Sequence, residues 1–263
     1  MLLDLNDYPL LAIFPVSLVL ILGAGEVGHW LGERAARRGA PGVSTLEAAI
    51  LGLLALMIGF TFSMALSRFE ARRDGVVIEA AAIGTTALRA RLLPAPHDRE
   101  VVKLLRDYVQ LRLDLTKRPV SLAEFNDAIS RSNAIQEALW RQAKAVAAKD
   151  NGMVPTGLFL QSLNEMIDDQ EKRLAALHNR LPAIIVIALY GVSIVGVGFA
   201  GYGSGVETKR SRLPVHLMGV LVAAMVLLIQ DIDRPGAGFI KVSQQSMAST
   251  AALLAGFPDQ AAP

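Results

Sequence analysis

Between Ala48 and Leu66 the chain carries no charge, and the first basic residue beyond is Arg68. Wound as a helix at 100° per residue, this run places Gly52, Leu56, Phe60, Ser63 and Ser67 within an arc of about 80°. The stripe is small, then bulky and apolar, then hydroxylic. If several copies faced one axis, rings of Leu56 and Phe60 would form a constriction that empties of water when narrow. Ser63 and Ser67 would rehydrate an ion beyond it. The same helix supports a second reading. Gly52, Ala55, Gly59 and Ser63 form an overlapping small-residue face, the usual mark of close helix packing. On the residues alone both readings stand. Arg68 and Arg72 would draw anions to the mouth of such a path, or reach for lipid headgroups as long basic side chains do.

Asp231 and Asp233 close the last apolar run and are candidate ligands for calcium. Hard cations take several oxygen ligands, so two carboxylates are few. The competing expectation is a helix-stop turn built on Asp231-Ile-Asp-Arg-Pro-Gly236. The acidic group Glu165, Asp168, Asp169 and Glu171 reads as a solvated helix face. Glu26 and His29 lie near the end of an apolar run, where interfacial or paired roles are expected. The sequence has no cysteine, so disulfides, thiolate nucleophiles and cysteine-held metals are excluded. No nucleophile triad, phosphate loop or HExxH spacing occurs. Neither an enzyme nor a cofactor is expected, calcium at the two aspartates excepted.

The elements that must position these residues follow from hydropathy. Hydrophobic residues make up 52 % of the chain and gather in four runs, 8–30, 48–66, 182–202 and 214–232, where a soluble domain would scatter them. From Tyr8 to Trp30 a helix covers roughly 33 Å, a bilayer thickness. Backbone groups in lipid must pair internally, so each run is expected to be a helix. Asp4 and Asp7 precede the first run and no basic residue does, which argues for a retained helix and against a cleaved signal. Glycines 191, 196, 198 and 201, and the Gly219/Ala223 pair, predict close helix approach.

Residues 67–181 are charged and helical in period. Arg68 to Leu93 extends the second span. A helix is expected over 97–117, with Val101, Leu104, Leu105, Tyr108, Leu111 and Leu115 on one face. Ser121-Leu-Ala-Glu124 is a capping box that opens the next helix, to about Lys149. A further helix is expected from Thr156 through Leu181, unbroken into the third span. The tail, 233–263, reads as partly ordered at best. The fold class is therefore all-α, with four transmembrane helices and a helical middle segment. Basic residues do not orient it. Arg34, Arg37, Arg38, Lys209, Arg210 and Arg212 oppose Arg68, Arg72, Arg73, Lys172, Arg173 and Arg180 nearly evenly. A net charge of +2 gives no reason to expect a nucleic-acid partner.

Leu51 to Arg73 reads LGLLALMIGFTFSMALSRFEARR, which resembles the second helix of bestrophin channels. There a leucine-rich run reaches a phenylalanine, and an Arg-Trp-Trp-Glu-type cluster follows. The matching positions are Gly59-Phe60, Arg68-Phe69 and Glu70-Ala71-Arg72, with one aromatic where the family has two. Asp231-Ile-Asp233-Arg-Pro235-Gly236 is similar to the acidic-Pro-Phe-Gly exit of that family, without its Phe. The resemblance implies an oligomer, a homopentamer in a bacterial inner membrane, in contact with lipids and inorganic ions. Five second helices would line a hydrophobic neck for small anions, and the middle helices would form a cytoplasmic vestibule. The alternative expectation is a non-conducting scaffold or sensor whose soluble helices bind a protein partner.

Overall fold

The computed structural model describes residues 9–39, 41–117, 121–207, 211–236 and 238–258. Among these residues there are eight α-helices and no strand. They are α1 (Leu10–Ala36), α2 (Ser44–Ala90), α3 (His97–Lys117), α4 (Leu122–Ala147), α5 (Leu158–His178), α6 (Ala183–Val206), α7 (Leu213–Asp233) and α8 (Gln245–Ala255). A π-helical turn, Met153–Gly157, leads into α5. The four apolar runs lie in α1, α2, α6 and α7, each long and apolar enough to cross a membrane. Asp4, Asp7, Tyr8, Lys209 and Arg210 lie outside the described residues. Two compact units form, one from Met1–Phe69 with Arg180–Ile240, the other from Glu70–Asn179 with Lys241–Pro263.

In the first unit, α1 and α6 run parallel and meet through glycine. A Cβ on Gly28 would land on the Gly198 carbonyl oxygen, one on Gly32 on that of Tyr202, one on Gly201 on that of Gly25, and one on Gly205 on that of His29. Backbone therefore touches backbone along two turns. Of the glycines expected to pack, Gly196 receives Leu54 of α2, whereas Gly191 faces open space. α7 joins through Gly219, against Leu22 and Ile21 of α1, and Ala223 is fully buried. A polar relay crosses this apolar interior. The Ser17 and Tyr190 hydroxyls lie 2.6 Å apart, and Gln230 donates to Tyr190 at 3.0 Å. Outward-facing Leu11, Val19, Trp30, Ile184 and Leu217 are exposed, as a lipid-facing surface requires.

The second unit packs α3, α4, α5, α8 and the later turns of α2 around Ile83, Leu105, Tyr108, Leu139, Phe159, Leu163 and Met166. The capping box forms as expected: Ser121 N–H donates to Glu124 at 2.8 Å and Glu124 N–H to Ser121 at 3.2 Å. Ser121→Ala is expected to cost about 1 kcal/mol, read as a lowered unfolding midpoint.

Two expectations change. The rod from 156 into the third span is broken. α5 ends at His178, Asn179 turns to φ −77 and ψ 104, and Pro182 is extended at φ −56 and ψ 134. Proline lacks an N–H and disfavours a helical residue before it. The Leu181 N–H is instead taken by the Asp233 carboxylate at 2.9 Å. The tail is also not a loosely ordered end. α8 buries Met247 and Leu254, and Thr250 donates to the Ala80 carbonyl at 3.1 Å. Arg106 donates to the carbonyls of Leu254 and Phe257 at 2.9 and 2.6 Å, while the Arg91 guanidinium lies 4.7 Å from the Phe257 ring centre. Cations there satisfy helix-end carbonyls and complement the helix dipole.

Candidate functional site

The stripe on α2 is open in the single chain. Leu56 is 54 % and Phe60 64 % exposed, and Gly52, Ser63 and Ser67 are exposed beside them. The opposite face carries the packing: Leu54, Thr61 and Ala65 are buried, and the Thr61 hydroxyl is returned to the Met57 carbonyl at 2.7 Å. Only 17 % of the apolar stretch of α2 is buried, against 33 % in α7. α2 is thus the least covered of the four spans. A Cβ added to Gly52 or Gly59 would meet nothing within 4 Å, so these small residues do not serve packing inside the chain.

Charge around the stripe is sorted by azimuth. Arg68, half-buried, turns back to donate to the Met64 carbonyl at 3.1 Å. Arg72 is buried, 2 % exposed. Glu70 is exposed, and no partner for it occurs among the described residues. Arg73 stands 3.5 Å from Asp74, both exposed.

Asp231 and Asp233 face inward, 4 % and 3 % exposed. Asp231 accepts the Phe239 and Ile240 N–H groups at 2.6 and 3.0 Å, closing a turn in which Gly236 takes φ +77. Asp233 accepts from Leu181. Asp231 is thus committed to two backbone donors and Asp233 gives one oxygen to a third, and two carboxylates are few for the several oxygens a calcium ion takes. No group of three or more His, Asp or Glu suited to a metal occurs among the described residues.

Two polar networks join residues that lie far apart in the sequence. At the α1 C-terminal end, His29 lies 3.1 Å from Glu33, Arg212 lies 3.2 Å from Glu33 and 3.6 Å from Glu26, and His216 lies 2.8 Å from Glu26. Glu26 and His29 are thus paired. Within the second unit, the fully buried Glu79 holds Arg112 at 3.0 Å and Arg173 at 2.5 Å. The Tyr108 hydroxyl donates to Glu79 at 2.7 Å and stands 2.5 Å from Gln170. Burial, then the Glu79 charge, pushes the Tyr108 phenol well above its usual range. Burial lowers the Arg173 guanidinium, with Glu79 opposing. The signal available in sequence was a single acid among Val76, Ala80 and Ile83 on an otherwise apolar face.

The bestrophin-like domain model matches residues 14–247. The chain belongs to the bestrophin-like family. Solved structures agree in fold. A substituted form of a bacterial bestrophin homologue from Klebsiella pneumoniae superposes with a TM-score of 0.70 at 15 % identity, covering 94 % of this chain and 99 % of the other. A second structure of a homologue from that organism gives 0.67 at 15 %, covering 93 % and 98 %. A structure described as a membrane protein gives 0.71 at 14 %, covering 93 % and 99 %. No curated protein matches the sequence. The expected family and the all-α, four-span class therefore hold, and this bestrophin-like chain is a multi-pass membrane protein.

Proposed function

We propose that the chain is one subunit of a homopentameric ion channel, in which five copies of α2 turn Leu56 and Phe60 toward a common axis. The carrying observation is the exposed apolar face of α2. Leu56 and Phe60 lie open on the span whose other side is packed, in a chain of the bestrophin-like family. A bulky apolar ring resists hydrated ions by dewetting, and Ser63 and Ser67 return hydroxyls to an ion that has passed it. The second unit then forms a vestibule on the cytoplasmic side of a bacterial inner membrane, and lipids cover the outer faces of α1, α6 and α7. The permeant species are small inorganic ions. The expectation of anions comes from the family resemblance; Arg68 and Arg72, which would draw anions to the mouth, do not themselves lie on the stripe.

Planar-bilayer recording of the purified protein tests this. Phe60→Ala is expected to raise single-channel conductance several-fold by widening and wetting the ring, with Leu56→Ala acting in the same direction. Protein that stays silent across pH, calcium and lipid conditions, or conductance indifferent to both substitutions, overturns the reading. A purified form that is monomeric in detergent does so as well, since one four-span subunit encloses no neck.

A further inference from the structure

Where α1 and α6 end and α7 begins, a cavity of about 560 Å³ opens, with His29, Glu33, Arg37, Ser204 and Arg212 in its lining. All five belong to the first unit, and small-molecule sites span about 300–1,000 Å³. Buried polar groups ordinarily find partners, yet two here have none among the described residues. They are the hydroxyl of Ser204, 2 % exposed, and Nδ1 of His29, 8 % exposed. His29 turns Nε2 to the Glu33 carboxylate at 3.1 Å. Nε2 therefore carries the hydrogen, and Nδ1 of the neutral ring is left as an acceptor.

The charges are also held apart. Glu33 and Arg37 have the spacing and order on α1 that favour an ion pair, but none forms between them. Glu33 gives Oε1 to His29 and Arg212, and its Oε2 accepts nothing among the described residues. Arg37 is exposed, and its side chain has no ion pair or hydrogen bond among the described residues. Arg212 is shared by Glu33 and Glu26, and Glu26 also meets His216 at 2.8 Å. With both histidines neutral, two acids balance two arginines. The cavity thus combines unspent donors, Arg37 and Ser204, with unspent acceptors, Glu33 Oε2 and His29 Nδ1, and has no excess of either charge.

We propose that this cavity binds a zwitterionic phosphate ester of the ethanolamine type, its phosphate met by Arg37 and Ser204 and its ammonium by Glu33 and His29. Guanidinium and hydroxyl donors suit phosphate oxygens, and an ammonium brings three N–H donors to the waiting acceptors. A bare anion would leave those acceptors unmet, and a quaternary ammonium has no N–H to give them. The ester can be a lipid headgroup or a free molecule. Depth favours the lipid. Trp30, one turn before Glu33, is 55 % exposed, Leu31 is 45 % exposed, and the Arg34 guanidinium lies 5.1 Å from the Trp30 ring centre. Exposed aromatic and basic residues so placed mark headgroup level. The site is independent of whether the protein conducts.

The experiment is native mass spectrometry of the purified protein, titrated with phosphatidylethanolamine, phosphatidylcholine and phosphatidylglycerol of equal chain length. The ethanolamine lipid is expected to be retained several-fold more tightly than the other two. Arg37→Ala and Ser204→Ala should each weaken its retention several-fold and leave phosphatidylglycerol unchanged. Arg38→Ala, at an exposed neighbour outside the lining, should change none of them. Soluble O-phosphoethanolamine separates the two sources. Displacement of the lipid only at far higher concentration assigns the site to lipid, and displacement at equal concentration assigns it to the free ester. Either result upholds the recognition chemistry. Equal retention of the three lipids overturns the proposal, as does ethanolamine-lipid retention indifferent to both substitutions, or no binding of lipid or ester. Arg37 is exposed and Ser204→Ala removes a hydroxyl without a partner, so both variants should keep the parent gel-filtration profile. Should Ser204→Ala alter it, Arg37→Ala alone decides.

Discussion

Glu79→Ala is expected to unfold the second unit at far milder conditions than any surface change, with a loss of about 3–5 kcal/mol. The carboxylate is fully enclosed, and two guanidiniums that are themselves 2 % and 7 % exposed converge on it. Removing it leaves both cations buried together with nothing between them, so repulsion adds to lost solvation. Tyr108→Phe is the measured contrast. It deletes one donor to Glu79 and keeps the ring and both ion pairs, so a cost of about 1 kcal/mol is expected. The comparison requires unfolding midpoints of the two variants in the same detergent. Near-equal losses would show that the charges are not what holds the unit. Tyr108 also has a pH signature. Its folded-state pKa lies above the ordinary 10.0, so its stabilising effect is complete below that pH. As pH rises through and beyond 10.0, the unfolded phenol ionises first and stability falls. Tyr108→Phe should lack that part of the alkaline loss.

The second large effect concerns the first unit. Gly28→Val should prevent α1 and α6 from closing to their observed separation. The new Cβ would fall on the Gly198 carbonyl oxygen, 2.9 Å from its carbon and 3.1 Å from the Tyr202 nitrogen. These obstacles are backbone, so no side chain can swing clear. The helices must part, and the contacts at Gly25 with Gly201 and Gly32 with Gly205 open with them. Overpacking ordinarily costs about 1–3 kcal/mol, and this site lies at or above the upper end. Gly23→Ala, on the same helix, is the control. A Cβ there meets nothing within 4 Å, so stability should hold or rise by up to about 1 kcal/mol from helix propensity. Thermal denaturation in detergent separates the two. Equal melting temperatures would refute the backbone-contact account.

The sequence by itself determined what local chemistry governs. Four predominantly apolar runs of bilayer length become helices because an unpaired amide has no partner in lipid. Ser121 and Glu124 cap α4 because their reach spans three residues. The period of Val101, Leu105 and Tyr108 marks the buried side of α3 because a helix repeats every 3.6 residues. The Leu56–Phe60 stripe was legible for the same reason. Tertiary structure decided everything that depends on distant partners. For Asp231 and Asp233 the sequence offered calcium ligands or a helix-stop turn, and only the folded chain brings Phe239, Ile240 and Leu181 to them. Arg72 and Arg68 are equally basic in the sequence, yet one is buried and the other is half-buried and turned onto its own helix. Glu79 finds Arg112 and Arg173 across 33 and 94 residues, a separation no periodicity reports. α8 owes its order to the burial of Met247 and Leu254 and to its contacts with Arg106 and Ala80, partners distant in sequence. Helical period fixes which residues share a face, whereas only the packed neighbours decide whether that face meets another helix, lipid or an open axis.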